Sequence, residues 1–354
     1  MEYHAIAKGG EYNSLMISVF VIISFLLSMC FTRMFMSPSS WLRVMDHPNE
    51  RSLHSVPVSR AGGVAILISF FLGIGMIAFF LDMVVDPILL VCALLVAMIS
   101  FLDDCYSLSA ALRFFIHFCV AAILVANGYG LLVIELPGVS WEWPASVAVI
   151  VSCFMIVWLI NLYNFMDGMD GFAAGMAIIG FSCFALLGWQ TQNLLFMGAN
   201  IIVVGAVAGF LLFNFPPAKI FMGDTGSSVL GFFVAAFSLW ASVDSIFSIW
   251  VALLVFSPFI IDASVTLFRR VLAGEKVWEA HKTHFYQRLV QIGWGHKKTV
   301  LYGYLLMVAS GASACLAVQI DVFFQWVIVL GWVLVYIWIM FWVAKLERRD
   351  VKLF

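Results

Sequence analysis

Five aspartates in three short polar segments carry most of the chemistry this sequence offers. They are Asp103 and Asp104 in FLDDCYSLSAALR, Asp167 and Asp170 in NLYNFMDGMDG, and Asp224 in KIFMGDTGSS. Each segment abuts a long apolar run. An ionised Asp at the centre of a bilayer costs about 3 kcal/mol on insertion scales, so five of them in hydrocarbon would be prohibitive. At a common boundary depth, separate helices can instead bring them to one cleft. Adjacent acids such as Asp103 and Asp104 raise each other's pKa unless a cation or a bound proton intervenes. Mg²⁺, with Mn²⁺ as a substitute, is the natural cation, because it takes oxygen ligands and usually binds one or two carboxylates plus the phosphates of a substrate. Asp224 lies between Gly223 and Gly226, where backbone can approach closely, and with Asp104 it is the expected metal-holding pair. Asp103, Asp104, Asp167 and Asp170 are the expected catalytic acids.

Asn161, Asn164, Asp167 and Asp170 are spaced by three throughout. Each such step turns about −60° on a helix, so the stripe drifts off one face after three residues. Gly168 and Gly171 predict that the helix breaks there, leaving Asn164 and Asp167 aimed into the cleft. Asn161, deeper in its apolar run, reads as a tie between helices.

Phosphate recognition explains the basic groups that accompany these acids: Arg51, His54, Arg60, Arg113, Lys219, His281, His284 and Arg288. In HKTHFYQRL the spacing predicts a helix lying at the membrane surface, with His281, His284 and Arg288 on one face. Trp278, Phe285, Leu289 and Ile292 would form its apolar face. Lys282, Lys297 and Lys298 are expected to meet anionic lipid headgroups, and Asp262, two turns before Arg269, reads as a polar tie.

The elements that position these residues are membrane helices. With 64% hydrophobic and 11% charged residues in 354, and a mean hydropathy of +1.06, the chain is too apolar for a soluble fold. A helix needs about 20 apolar residues to cross the hydrocarbon core. Such runs fall at 14–36, 62–81, 87–102, 110–127, 145–163, 172–189, 194–213, 226–243, 246–268, 299–318 and 323–344. The prediction is an all-α polytopic membrane protein of about eleven transmembrane helices, one domain over 1–354. Of the 18 Lys and Arg, all but Lys8 fall in alternate gaps between these runs or, for Arg33 and Arg113, at the end of a run that borders such a gap. The positive-inside rule then makes the C-terminus and the acids cytoplasmic and puts the N-terminus on the opposite face, which would be periplasmic if the membrane is a bacterial inner membrane. No basic region precedes the first run, so it is expected to be a retained span rather than a cleaved signal. The seven cysteines show no C-x-x-C spacing, and a net charge of −2 gives no reason to expect a nucleic-acid partner.

RSLHSVPVSRAGG, FLDDCYSLSAALR, NLYNFMDGMDG, KIFMGDTGSS and HKTHFYQRL, in this order and with comparable spans between them, resemble the polyprenyl-phosphate N-acetylhexosamine-1-phosphate transferases. That family includes the enzymes that start O-antigen synthesis and the muramoyl-pentapeptide transferase of peptidoglycan synthesis. The resemblance implies transfer of a sugar 1-phosphate from a UDP-N-acetyl sugar to undecaprenyl phosphate at the cytoplasmic face, with release of UMP and a need for Mg²⁺. It makes Asp103 a base toward the lipid phosphate, Asp224 the metal-binding acid, and Asn164 and Asp167 neighbours of metal and nucleotide. His281 and His284 fall where the family has its diphosphate-binding histidines. Two departures from the muramoyl enzyme, H-K-T-H in place of three consecutive histidines and Ser107 in place of a lysine, lean toward the O-antigen-initiating branch. Partners are then undecaprenyl phosphate, a UDP-N-acetyl sugar and inner-membrane lipids; a homodimer is carried as an expectation. An intramembrane aspartyl protease and a transporter are the competing readings. The sequence does not choose the sugar, nor between direct attack and a covalent phospho-sugar intermediate.

Overall fold

A computed structural model of the chain describes residues 2–37, 39–40, 42, 44–46, 57–276 and 281–350. Its helices are α1 (Glu2–Met36), α2 (Gly62–Leu81), α3 (Pro87–Tyr106), α4 (Ala110–Ala126), α5 (Ala145–Phe165), α6 (Phe172–Gln190) and α7 (Leu194–Asn214). There follow α8 (Gly223–Val243), α9 (Ile249–Val255), α10 (Ser257–Leu272), α11 (Phe285–Leu289), a π-helical turn over Val290–Trp294, α12 (Gly295–Ala317) and α13 (Val322–Asp350). Two small antiparallel ladders complete the fold. β1 (Met45–Asp46) pairs with β2 (Val58–Ser59), and β3 (Val133–Leu136) pairs with β4 (Val139–Glu142).

α8 is the axis of the bundle. Every residue from Thr225 to Ala241 is buried, as befits a helix apolar all round, and α2, α3, α5 and α9 pack against it. Beside it Phe181, Phe184, Phe196, Phe237 and Phe256 form a cluster of tilted and edge-on rings. α13 is the opposite case. It packs on α11 and α12 and leaves Phe323, Leu334, Trp338 and Phe341 exposed, a surface suited to lipid.

Among the described residues, nine helices are long and apolar enough to cross a membrane, ten if a bent pair counts as one span. α4, a 17-residue apolar helix, stands where the fourth run was read. All the apolar runs are therefore helical, but the ninth is not continuous. α9 and α10 meet at an 81° bend, because Pro258 sits in the first turn of α10, where it cannot continue the α9 hydrogen-bond ladder. The stretch 128–144, between the fourth and fifth apolar runs, contains the β3–β4 hairpin turning at Pro137 and Gly138.

The C-terminal ends of α3, α5 and α10 and the N-terminal ends of α4, α6, α8 and α11 gather at one end of the bundle. The other end carries the hairpin, with Glu135 and Glu142, and the turns at Asp82, Asp86, Asp244 and Asp321.

Candidate active site

The site is built around the start of α8. Gly223 has φ +73°, a conformation that favours glycine, and a Cβ there would stand 2.5 Å from the Arg60 carbonyl oxygen and 2.9 Å from Asp104 Oδ2. α8 has no side-chain cap of its own. The cap comes from α3 instead: Asp104 Oδ1 accepts from the Asp224 amide (3.0 Å), and Oδ2 accepts from the Thr225 amide (2.9 Å) and hydroxyl (2.6 Å). A carboxylate satisfies the free N–H groups of a helix start and favours its positive dipole end. Asp104 thus locks α3 to α8 and fixes the backbone that carries Asp224.

Asp103 turns the other way. Its Oδ1 accepts from the Leu108 amide at 2.7 Å, and its Oδ2 meets Arg113 Nη1 at 2.5 Å. The same Nη1 is 3.3 Å from Asp224 Oδ2, so one guanidinium bridges acids from α3 and α8. Arg60 is paired with Asp46 across the β1–β2 ladder. Burial works against its charge, but Asp46, and more distantly Asp104 and Asp224, raise its pKa further.

From the last turn of α5, Asn164 Nδ2 donates to Ser227 Oγ at 3.0 Å and lies within hydrogen-bonding reach of Asp224. Asp167 follows, half-buried, with no hydrogen bond to its carboxylate among the described residues. Burial, then the charges of Asp224, Asp104 and Asp170, hold its carboxyl well above the usual carboxylate range. Asp170 is used differently. Its Oδ2 accepts from the Ala218 amide at 3.0 Å, and its Oδ1 is 3.2 Å from His296 Nδ1. Burial opposes its charge, yet His296 and the Ala218 amide bring its pKa below the ordinary value. It fastens the α5–α6 loop to the loop before α8 and to the first turn of α12.

The histidine segment departs from expectation. Residues 281–283 are not helical, His284 is the N-cap of α11, and α11 runs for only 5 residues before the π-helical turn. No single helical face can therefore carry His281, His284 and Arg288. Nε and Nη2 of Arg288 are paired with Glu347 of α13, and its guanidinium lies 4.9 Å over the Phe285 ring, which leaves Nη1 without a partner among the described residues. His284 is 2% exposed and stacks on His281 with ring centroids 4.8 Å apart. Burial, then His284 and Arg270, lowers His281 to about 4. Tyr286 on α11 donates to the Phe165 carbonyl at 3.4 Å, docking this segment on the loop that bears Asp167.

Two further expectations change. Asp103 and Asp104 do not need a shared cation, since each has its own partner. Asn161 does not tie two helices, because its amide donates to Val157 within α5. Asp262 does act as a tie, from α10 to the backbone of Phe285 and Tyr286. Arg51, His54 and Trp278 lie outside the described residues. Sequence reasoning missed Thr225 and Ser227, hydroxyls in the first turn of α8. It also missed Asn214, which accepts from the Gly171 amide and donates to Ile220; a lone Asn ending an apolar run before Pro216 was its only signal.

Among the described residues, no three His, Cys, Asp or Glu converge as a metal-holding cluster. Among the described residues, the acids with oxygens left open are Asp224, which meets Arg113 at one oxygen and has Asn164 within reach, and Asp167. Two carboxylates with room for phosphate oxygens are the donor set of a Mg²⁺ shared with its substrate, so the residues fit that ion.

A family model described as glycosyl transferase family 4 matches residues 87–242, which contain all five aspartates but neither His281 nor His284. A Bacillus subtilis protein called a probable undecaprenyl-phosphate N-acetylglucosaminyl 1-phosphate transferase is 31% identical over 301 residues, 84% of each chain. A decaprenyl-phosphate N-acetylglucosaminephosphotransferase of Mycobacterium tuberculosis is 31% identical over 309 residues, 78% of this chain and 76% of its own. A phospho-N-acetylmuramoyl-pentapeptide-transferase of Geobacillus kaustophilus is 32% identical over 219 residues, 57% of this chain and 65% of its own.

Proposed function

Because the chain belongs to the polyprenyl-phosphate hexosamine-1-phosphate transferase family, we propose that it moves an N-acetylhexosamine 1-phosphate from a UDP-sugar to undecaprenyl phosphate and releases UMP. The observation that carries this reading is the meeting of Asp104, Asp224, Arg113, Asp103, Asn164 and Asp167 at one end of the bundle. Acids with open oxygens and a bridging guanidinium suit a diphosphate better than they suit a peptide bond. Their place at helix ends rather than at mid-depth also argues against a transport site.

In this reading an oxygen of the lipid phosphate attacks the phosphorus that bears the sugar. The bond from that phosphorus to the oxygen shared with the uridine-bearing phosphate breaks, and UMP departs with that oxygen and its electron pair. Phosphoryl transfer asks a protein mainly for alignment and charge neutralisation. Arg113 stands ready for a phosphate oxygen, and Asp103 keeps it in place. With both its oxygens engaged, Asp103 is better arranged as that counterion than as a free base, and a lipid phosphate that arrives ionised needs none. Asp224 and Asp167 would hold Mg²⁺, which when bound offsets the charge of the diphosphate. Asp104 acts through the backbone it caps, and Asp170 through the loop it fastens. All these side chains come from one polypeptide, so the reading needs no second subunit.

The acid end faces the cytoplasm of a bacterial inner membrane in this proposal. Every Lys and Arg whose side chain is described belongs to a segment at that end, as the positive-inside rule requires. The product would start O-antigen or a related surface polysaccharide, on the strength of Ser107 and the H-K-T-H segment. The test is to incubate membranes containing the protein with undecaprenyl phosphate and each of a panel of UDP-N-acetylhexosamines, then identify lipids by mass spectrometry. One sugar should yield an undecaprenyl diphosphate sugar together with UMP; no lipid product from any of them would overturn the proposal.

A further inference from the structure

α13 is suited to lipid along most of its length, yet three of its side chains make polar contacts with three other elements. Trp326 Nε1 donates to the Pro137 carbonyl of the hairpin at 3.0 Å, Tyr336 Oη lies 2.6 Å from Ser257 Oγ at the bend between α9 and α10, and the Glu347 carboxylate pairs with Nε and Nη2 of Arg288 on α11. Successive members are spaced by about three helical turns, so they share one side of α13. A helix that served only as an anchor in lipid needs none of these contacts. The Glu347 contact bears on the site. The Arg288 side chain is 11% exposed, and a cation that buried needs an anion; Glu347 supplies it from a second helix in the two-bond arrangement that fixes a guanidinium plane. That guanidinium lies 4.9 Å over the Phe285 ring, and Trp342, just over a turn before Glu347, meets Trp294 of the π-helical turn edge-on with centroids 5.4 Å apart. α11 has 5 residues, too few to persist as a helix without such holds. Asp262 grips its first turn through the Phe285 and Tyr286 amides, and Glu347 grips its end. Between the two grips Tyr286 meets the loop that bears Asp167. Its hydroxyl donates to the Phe165 carbonyl at 3.4 Å, its ring centroid lies 4.8 Å from that of Phe172, and a Cβ on Gly168 would stand 2.3 Å from its oxygen.

We propose that Glu347 is a positioning residue: by holding Arg288 it seats α11, and through Tyr286 it fixes the loop that carries Asp167. The proposal rests on the transfer reading for what that loop does in turnover, and on geometry alone for how the loop is held. It gives α13 a task at the site although none of its side chains belongs to the acid cluster. Removing the Glu347 charge leaves Arg288 buried without its anion. The guanidinium then turns toward water, its contact with Phe285 loosens, and the seating of Tyr286 on Phe165 and Gly168 is lost.

The test measures hydrogen–deuterium exchange by mass spectrometry on the purified full-length protein without substrates, followed by kinetics of UMP release. Glu347→Gln keeps the shape of the side chain and removes its charge. It should speed exchange about tenfold in peptides covering 166–172 and 284–290, as expected when one partner of a charged pair is lost, and leave peptides within 62–81 unchanged. The kcat for UMP release should fall about tenfold with the KM for undecaprenyl phosphate within about twofold of wild type, since a displaced loop costs alignment rather than lipid binding. Glu347→Asp, which keeps the charge, should stay within about threefold of wild type in both measurements. Trp326→Phe, which removes the tie at the opposite end of α13, should change neither. Unchanged exchange at 166–172 in Glu347→Gln, an equal rise there in Trp326→Phe, or a wild-type kcat in a Glu347→Gln protein whose loop does exchange faster would each overturn the assignment. If Glu347→Gln does not fold, Arg288→Gln removes the same pair from its other side, and unchanged exchange at 166–172 in that variant would overturn it too. Faster loop exchange in Glu347→Gln, when the wild type releases no UMP from any nucleotide sugar, would defeat the transfer reading and leave the seating of α11 by Glu347 standing.

Discussion

At the scale of single residues the five aspartates divide by what they touch, and each division makes a different demand. Asp224 is the acid with an open oxygen nearest the guanidinium of Arg113, so Asp224→Asn should lower UMP release by about a hundredfold or more while leaving the fold intact. A colorimetric UMP assay on purified protein, with a melting curve as control, checks both halves. Asp104 is a cap, and Asp104→Ala should lower unfolding stability by about 1 kcal/mol, seen as a lower melting temperature that Asp224→Asn does not share. Asp167 adds a pH signature. Its folded pKa is raised, chiefly by burial and then by Asp224, Asp104 and Asp170, so the native state binds the proton more tightly than the unfolded chain. Its contribution to stability is then fully present below the ordinary carboxylate value and is lost as pH rises through the raised one. In EDTA, wild type should lose more melting temperature between weakly acid and weakly alkaline pH than Asp167→Asn does; equal slopes would remove Asp167 as the cause. The sequence exposed which acids belong together, because they are polar breaks in an apolar text. It could not expose which are occupied, since the partners of Asp104 and Asp103 are a helix start 120 residues away and an arginine across a turn.

At the scale of elements, apolar runs long enough to span a membrane identify helices almost without competition, because unpaired backbone is so costly in lipid. Two finer features escaped. The break between α9 and α10 was announced by Pro258 within the run 246–268, but hydropathy alone passes over a proline. HKTHFYQRL was read as one helix because spacings of three and four satisfy a helical face whether or not the backbone is helical. The structure starts the helix only at Phe285, where Asp262 supplies the acceptors. The start of α8 tests how tightly elements must meet. Gly63 of α2 leaves no room for a Cβ against the Gly226 backbone, 2.2 Å away, and Gly223 leaves none against the Arg60 carbonyl. Gly223→Ala should therefore cost about 1–2 kcal/mol for the left-handed backbone alone, and should cut turnover beyond its effect on stability by shifting Asp224. Normal activity in a folded Gly223→Ala protein would show that this backbone does not need to be where it is.

At the scale of the whole molecule, charge rather than hydrophobicity would orient the chain in the proposed topology. The basic side chains and the acid cluster share one end, while the hairpin end carries only acids among its described charged side chains. Cys105, exposed beside Asp104 at the acid end, should react with a membrane-impermeant maleimide only when the cytoplasmic face is opened. A cysteine introduced by Ser140→Cys in the hairpin should react in intact cells. The reverse pattern would invert the molecule and remove the site from the supply of nucleotide sugars. The asymmetry was legible in the sequence because it needs only the order of charges and spans. Which helix forms the axis was not, because α8 is no more apolar than its neighbours and is distinguished only by what surrounds it.

The most direct test of the central claim, that these carboxylates meet a divalent ion and a diphosphate at the start of α8, is UMP release measured against Mg²⁺ concentration with undecaprenyl phosphate and the preferred UDP-sugar. Wild type should show no release in EDTA and a saturable rise with Mg²⁺, matched mole for mole by lipid diphosphate sugar, and Asp224→Asn should stay flat at every concentration. Release that persists in EDTA, or an Asp224→Asn protein that follows the wild-type curve, would contradict it.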